Sequence, residues 1–397
     1  MRLAIITDSY APLRSSAAVQ LVDLANEFVA QGHDPLIICP THEISDLYCC
    51  WEHENVHVLS IKAPNRRDLG YVRRTLAELC MPYCAMRALM KSPYKNVIFD
   101  GVIWYSPSIF HGPLVKAIKQ KSHCRSYLVL RDIFPEWAVD MGLLGKGLPY
   151  LFFKFIEKFQ YSMANVIGVQ TYANQSYLKD WSHKPNRRVE VLQNWLAETS
   201  NTGCSIKVQN TILAGRKIFV YAGNMGVAQG IDLILHIAKI LDSQRHDIGF
   251  LLVGRGSELK SLKKYAISEC LTNVVFYNEI NPAEVSGLYD QCDVGIVALD
   301  SRHRTHNIPG KFLSYIQNGL PVFACVNEGN DLLELISTNR IGLASTRLDP
   351  VKLAVLVQGM IDAPDHPADI ETRCKTLAKE LFSPEVAVRQ IIRALQS

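Results

Sequence analysis

The chain has 397 residues, enough for two compact domains rather than one. With 48% hydrophobic and 20% charged residues and no low-complexity tract, it is neither disordered over long stretches nor collagen-like nor a coiled coil. A formal charge of +4 lies far below the usual signature of a nucleic-acid binder, though it suits phosphate ligands or an anionic membrane surface.

Eleven cysteines, an odd count without CxxC spacing, fit a reducing compartment and single thiols rather than a disulfide framework or a structural zinc. The opening MRLAIITDSYAP carries a short apolar run that ends at Asp8. It is too short for a signal-peptide core and reads as a buried strand. No window reaches 18 uninterrupted apolar residues, and the richest, 148–163, is broken by Lys154, Glu157, Lys158 and Gln160. The expectation is a cytoplasmic protein without a membrane span.

In chain order, a strand at 3–7 leads through a loop at 8–18 into an amphipathic helix with apolar Val19, Val22, Leu24, Ala25 and Phe28, closed by Gly32. A second strand at 35–39 completes a strand, helix, strand unit, since parallel strands need such a crossover. Further strands are expected at 56–61, 97–99 with 102–105, 126–130, 166–170 and 189–192. The stretch 65–95 sets Arg66, Arg67, Arg73, Arg74, Arg87 and Lys91 among apolar residues. It reads either as a surface helix pair interrupted by Pro82 or as a seat on an anionic leaflet.

Periodicity fades over 197–216, where Ser, Thr, Asn and Gly collect, which places a linker there. The pattern then restarts with strands at 217–221, 248–253, 274–276, 294–297, 321–324 and 342–344. A last helix at 384–396 has a stripe of Val386, Val388, Ile391, Ile392 and Leu395 that could pack on either half. The predicted fold is α/β, two Rossmann-like doubly wound parallel-sheet domains with an inter-domain cleft. Their bounds are 1–196, a linker 197–216, a second domain 217–382 and a terminal helix 383–397. In such sheets ligands bind outside the carboxyl ends of the strands, so function is sought in those loops.

The strongest local signal is VYAGNMGVAQGIDLIL at 220–235, a strand running into Gly223, Gly226 and Gly230 and then into a helix. Backbone amides at a helix start can hold a diphosphate. The same glycines also fit tight turns of an ordinary sheet. The spacing is not the dinucleotide fingerprint, and after Gly254 and Gly256 Leu259 stands where a third glycine belongs, so a nicotinamide enzyme loses support. In NIPGKFLSYIQNGLPV, Lys311 sits near a helix start, where a cation gains nothing from the helix dipole. A phosphate partner would explain it, as would a solvated surface position. Asp132 and Glu136 follow a buried strand four residues apart, as a base and an acceptor-binding acid or as an acidic helix start. His33, His111 and His123 have no partners at metal spacing and read as structural or exposed.

Taken in order, DSYAPLRSSAAVQLVDLANEFVAQGHDPLIICP, VLRDIFPEWAVDMG, LQNWL, VYAGNMG with AQG, LLVGRGSE and NIPGKFLSYIQNGLPV resemble the GT-B glycosyltransferases of family 4. The resemblance covers nearly the whole chain and points to the branch acting on bacterial surface polysaccharides such as O-antigen or capsule. It implies retaining, metal-independent transfer of a hexose or acetamidosugar from a nucleotide-sugar, with UDP-sugar preferred, to a polyprenyl-diphosphate-linked glycan. No cofactor, no metal and no nucleic-acid partner are implied, and a peripheral contact with an anionic membrane would suit the lipid-linked acceptor.

By the same resemblance, Gly223, Asn224, Gly226 and Gln229 would approach the donor, Arg255 and Lys311 would offset its phosphates, and Ile280 would border the base. Pro309 and Ser314 would complete the donor side, Ser314 at the ribose. Tyr10, Ser15, Ser16, Ala17 and Asn194 would line the acceptor side, with Arg131, Asp132 and Glu136 as catalytic candidates. Departures are informative. Two glutamates common in the family are here His306 and Ser314, with Asn307 as the candidate substitute, and Arg131 replaces a frequent histidine. A family Arg and Lys are here Asn224 and Gln229, which shifts diphosphate neutralisation to Lys311 and Arg255. Other readings of the same architecture are a nucleotide-sugar epimerase and a noncatalytic nucleotide-sugar binding protein.

Overall fold

Apolar runs too continuous for a one-sided sheet become strands buried on both faces. The structure, a computed structural model, describes all residues except 14, 67–68, 199–200, 301–307 and 363–365. It divides into two compact units, Met1–Trp195 with Pro384–Ser397, and Leu196–Ser383.

In the first unit the strands are β1 (Arg2–Ile6), β2 (Asp34–Thr41), β3 (Tyr48–His53), β4 (Val56–Lys62), β5 (Gly101–Tyr105), β6 (Arg125–Leu130), β7 (Val166–Val169) and β8 (Arg188–Val191). Their order is β3-β4-β2-β1-β5-β6-β7-β8, parallel except for β3 against β4. The sequence reading misses β3. Its YCCWEH is partly exposed, and the two-residue turn behind it, Glu54–Asn55, holds φ of 51° and 66° without the glycine that usually announces a hairpin. Residues 97–99, expected as strand, are not one. Val97 closes the turn Pro93–Asn96, and the Phe99 amide donates to Ser122 Oγ at 3.1 Å, so neither amide is free for a ladder.

Pro82 does not interrupt its helix, which runs unbroken over Tyr71–Lys91. One proline removes a single amide donor, and burial of Met81 and Pro82 holds the turns on either side. The last helix, Pro384–Gln396, joins the first unit. Ala387, Val388, Ile391, Ala394 and Leu395 are buried there, and each large aliphatic contributes about 1.5–3 kcal/mol by leaving water. Gln390 Nε2 fastens it by donating to Glu190 Oε1 and Val191 O, both at 2.9 Å.

The second unit has β9 (Lys217–Ala222), β10 (Ile248–Val253), β11 (Val274–Tyr277), β12 (Val294–Ala298), β13 (Val322–Cys325) and β14 (Gly342–Ser345), all parallel, in the order β11-β10-β9-β12-β13-β14. This is the doubly wound order whose direction reverses between β9 and β12, the position where such sheets bind ligands. The expected linker 197–216 belongs to this unit. Cys204, Ile206, Val208 and Leu213 are buried in its core, a packing that its polar neighbours conceal in the sequence. Each unit thus carries its own two-sided core.

Candidate functional site

At the reversal point of the second unit, β9 runs into Gly223 and then into the turn Val227–Gln229 and the helix Ile231–Asp242. Gln229 Oε1 folds back to accept from the Gly226 amide at 3.0 Å and from Asn224 Nδ2 at 3.1 Å, closing the loop on itself. Any other residue at Gly230 would be strained, since its φ is +55° and a Cβ would meet the Asp300 backbone at 3.4 Å.

A second loop locks onto the first. The Gly223 amide donates to Val253 O at 2.9 Å and the Met225 amide to Arg255 O at 2.7 Å. A Cβ on Gly254 would lie 1.9 Å from Gly223 O, and one on Gly256 would lie 2.2 Å from Met225 O. The glycines of the second loop therefore serve backbone-to-backbone packing. Around Gly223 the nearest atoms a Cβ would meet are Lys311 Cε and Nζ, at 3.7 and 3.8 Å.

Lys311 is the second residue of the helix Gly310–Gln317, which starts behind Pro309. That helix lies close on β12 because Gly295 has no Cβ, which would come within 2.3 Å of the Tyr315 ring. Tyr315 also donates to Val220 O at 3.2 Å, pinning the helix to β9. The Lys311 ammonium rests 3.7 Å from the centre of the Tyr221 ring, and among the described residues it meets no carboxylate. Burial pulls its pKa down to about 7. The Tyr221 hydroxyl donates to Asn224 O at 2.5 Å, so the ring under Lys311 also braces the first glycine loop.

Arg255 is exposed and pairs with Glu279 at 3.2 Å, a surface contact worth little. Ile280 is half-buried and, with Ser205, Lys207 and Asn278, borders a shallow cavity of about 480 Å³. Ser314 is half-buried, and its carbonyl accepts from Asn318 Nδ2 at 2.8 Å. Asn307 lies outside the described residues.

In the first unit, Arg131 is buried and turned inward. Its guanidinium donates to Leu192 O at 2.6 Å and Gln193 O at 3.1 Å and lies 5.0 Å from the Trp195 ring centre. That is a structural tie between β6 and the chain after β8, which no local signal reveals. Asp132 keeps a partly accessible carboxylate that, among the described residues, has no ion pair or hydrogen bond, and burial pushes its pKa up. Glu136 opens a short helix, Glu136–Asp140, and takes Lys154 Nζ at 2.5 Å.

On the acceptor side, Ser15 Oγ accepts from the Ala18 amide at 3.2 Å and caps the helix Ser16–Ala30. Ser16 is exposed and Ala17 half-buried. Tyr10 and Asn194 are buried. Sequence reasoning misses a charged cluster beside Tyr10. Asp8, just beyond the end of β1, pairs with Arg66 at 2.5 Å, and His111 Nε2 lies 3.7 Å from the same carboxylate oxygen. Burial lowers the His111 pKa. Asp8, Arg66 and Tyr10 border a cavity of about 630 Å³. The position of Asp8 after a strand is the one sequence signal for this cluster. Arg66, read as part of a basic surface, points inward instead. Among the described residues, no group of three or more His, Cys, Asp or Glu side chains could hold a metal, and no helix is long and apolar enough to cross a membrane.

Residues 216–362, which hold both glycine loops and Lys311, match the family described as Glycosyl transferases group 1. The chain carries a glycosyltransferase domain. The chain is also similar to WbjE of Pseudomonas aeruginosa, named as a probable glycosyltransferase, at 25% identity over 58% of this chain and 58% of that protein. It is 21% identical, over the full length of both, to WcaI of Escherichia coli K12, named as a putative colanic acid biosynthesis glycosyl transferase. Among solved structures, Anabaena Alr3699/HepE in complex with UDP superposes with a TM-score of 0.70 over 100% of both chains at 15% identity. The fold is accordingly GT-B, two Rossmann-like units with the glycosyltransferase domain in the second.

Proposed function

We propose that the protein transfers a hexose or acetamidosugar from a nucleotide-sugar, by preference a UDP-sugar, to a lipid-linked glycan in the assembly of a bacterial surface polysaccharide. The reading includes a family 4 enzyme that works with retention and without a metal, on the cytoplasmic side of the membrane. The observation that carries it is Lys311, an ammonium without a carboxylate partner among the described residues, held over Tyr221 beside Gly223. Burying such a charge is costly until an anion joins it, and a donor diphosphate would supply that anion. The relatives named for glycosyl transfer and the UDP bound to HepE support the same class of ligand.

In the transfer, the bond between the anomeric carbon and the diphosphate oxygen breaks, and its electron pair leaves with the nucleotide. Lys311 and the oriented amides around Gly223 would stabilise that developing charge, and such preorganised electrostatics often lower a barrier more than any other effect. The acceptor hydroxyl forms the new bond on the same face. Its proton passes to the leaving phosphate oxygen or to Asp132, whose carboxylate is of raised basicity.

Thermal denaturation of the purified chain with UDP, GDP, ADP and CMP tests the donor assignment, because a ligand of the folded state raises its apparent stability. Selective stabilisation by UDP is expected. Absence of any shift at saturating nucleotide would remove the donor reading.

A further inference from the structure

The helix Leu148–Ser162 is apolar on two sides, one turned to the core through Phe153 and Ile156 and one turned to solvent. Leu148, Leu151, Phe152 and Phe155 recur at the spacing of a single helical face, which in a globular protein normally meets the core. Here they are exposed, Leu148 by 82% and Phe155 by 71%, while the buried positions are Glu157, Gln160 and Tyr161. The inward polar groups have partners to hold. Lys154 Nζ meets Glu136 at 2.5 Å and Glu157 at 2.7 Å, Gln160 Oε1 accepts from the His111 amide at 3.0 Å, and its Nε2 donates to Ser108 O at 3.0 Å. The helix therefore braces the loops after β5 and β6 from one side and presents bare hydrocarbon on the other.

Between 141 and 162 the exposed charges are all cationic, and the nearest exposed acid before them is Asp140. Lys146, just before the helix, and Lys158 are exposed, and the helix's one acid, Glu157, is buried. The helix Tyr71–Lys91 packs against the same small cluster through Met81, beside Phe153 and Ile156, and exposes Tyr71, Val72 and Leu76 with Arg73, Arg87 and Lys91. We propose that this face docks on an anionic lipid bilayer, its apolar stripe in the acyl boundary and its cations at the headgroups. A second copy fits less well, because a two-fold interface would set the same cations against themselves.

This deepens the lipid-linked acceptor reading, on which it rests, and specifies its surface. Through Lys154, docking would hold the segment carrying Asp132 and Glu136 next to the membrane.

Sedimentation of the full chain with vesicles of phosphatidylcholine alone, or mixed with phosphatidylglycerol, tests the proposal. The wild type should sediment with the mixed vesicles and be released by salt, because cation to headgroup attraction is screened. Leu151→Ser with Phe155→Ser should lower partitioning by about tenfold or more. Both side chains are exposed, so melting temperature should hold. Lys146→Glu with Lys158→Glu should abolish the preference for phosphatidylglycerol. Wild-type protein that remains in the supernatant with both vesicles, serine substitutions without effect, or a wild-type dimer that those substitutions split would each overturn it. UDP stabilisation measured on the same variants keeps the two readings apart, since loss of vesicle binding with UDP binding intact strikes the docking face alone.

Discussion

Lys311 stands over the ring of Tyr221 at 3.7 Å, and the hydroxyl of that ring holds Asn224 O at 2.5 Å. One tyrosine therefore sets both the cation and the first glycine loop. With burial bringing the lysine down to about 7, anion binding and proton binding at this position are coupled.

The coupling has a sign. Below about pH 7 the free protein already carries the Lys311 proton; above it, a bound diphosphate must draw the proton in. UDP affinity should be full below that value and fall by up to about tenfold per pH unit above it, until the pKa of the complex is reached. Lys311→Arg, always charged, should flatten the profile. Lys311→Ala should weaken binding by roughly tenfold or more, the loss of one charge-assisted contact. Calorimetric titrations from pH 6.5 to 9, an interval of roughly two units above the lysine value, read all three; a wild-type profile as flat as that of Lys311→Arg would remove Lys311 from the site.

The two glycine loops should respond differently to a methyl group. Gly254→Ala places Cβ 1.9 Å from Gly223 O, backbone against backbone, and should cost about 3 kcal/mol or more or prevent folding. Gly223→Ala meets only the end of Lys311, though its φ of +141° strains any side chain. It should lose UDP binding at a smaller cost in stability. Urea unfolding beside UDP titration separates the cases, and equal stability losses would contradict the packing argument.

Arg131 and Asp132 are neighbours with opposite expected phenotypes. Arg131→Met leaves Leu192 O and Gln193 O without their donors and should destabilise the first unit by roughly 2–4 kcal/mol while leaving UDP binding unchanged. Asp132→Asn should keep the melting temperature and cut sugar transfer by about 100-fold or more, as removal of an acid or base does. A transfer rate unaffected by Asp132→Asn would leave the proton with the leaving phosphate.

Glu157 offers a pH test of stability. Its folded pKa is raised to about 7, first by burial, against an ordinary value of 4.5. A raised carboxyl favours the folded state while both states are protonated, and that advantage is lost as pH rises from about 4.5 to about 7. Glu157→Gln, which cannot ionise, should gain on the wild type across this window by roughly 3 kcal/mol and then hold level. Unfolding curves at pH 4.5, 6 and 8 check it; a constant difference would mean that Lys154 keeps Glu157 ionised throughout.

Local physics made much of this protein legible in its sequence. Continuous apolar runs specify strands buried on both faces, as at β1, β9 and β10. Glycines after them mark the loops where backbone passes close to backbone, and Lys311 behind its Pro-Gly turn is a cation at a helix start whatever surrounds it. Tertiary structure decided what depends on distant neighbours. Arg131 turns inward because carbonyls 61 and 62 residues away arrive beside it, and Asp8 gains His111 only when β5 pairs with β1, and Arg66 only when β2 joins β1 to β4. Cys204, Ile206, Val208 and Leu213, set in a polar stretch, join the core of the second unit, while the last helix returns to the first. The helix Leu148–Ser162 makes the same point most directly, since its periodicity marks an apolar face but only the partners of Lys154 and Gln160 determine that this face looks outward. Periodicity is carried by a few adjacent residues, whereas burial and pairing are set by whichever segments the fold brings together.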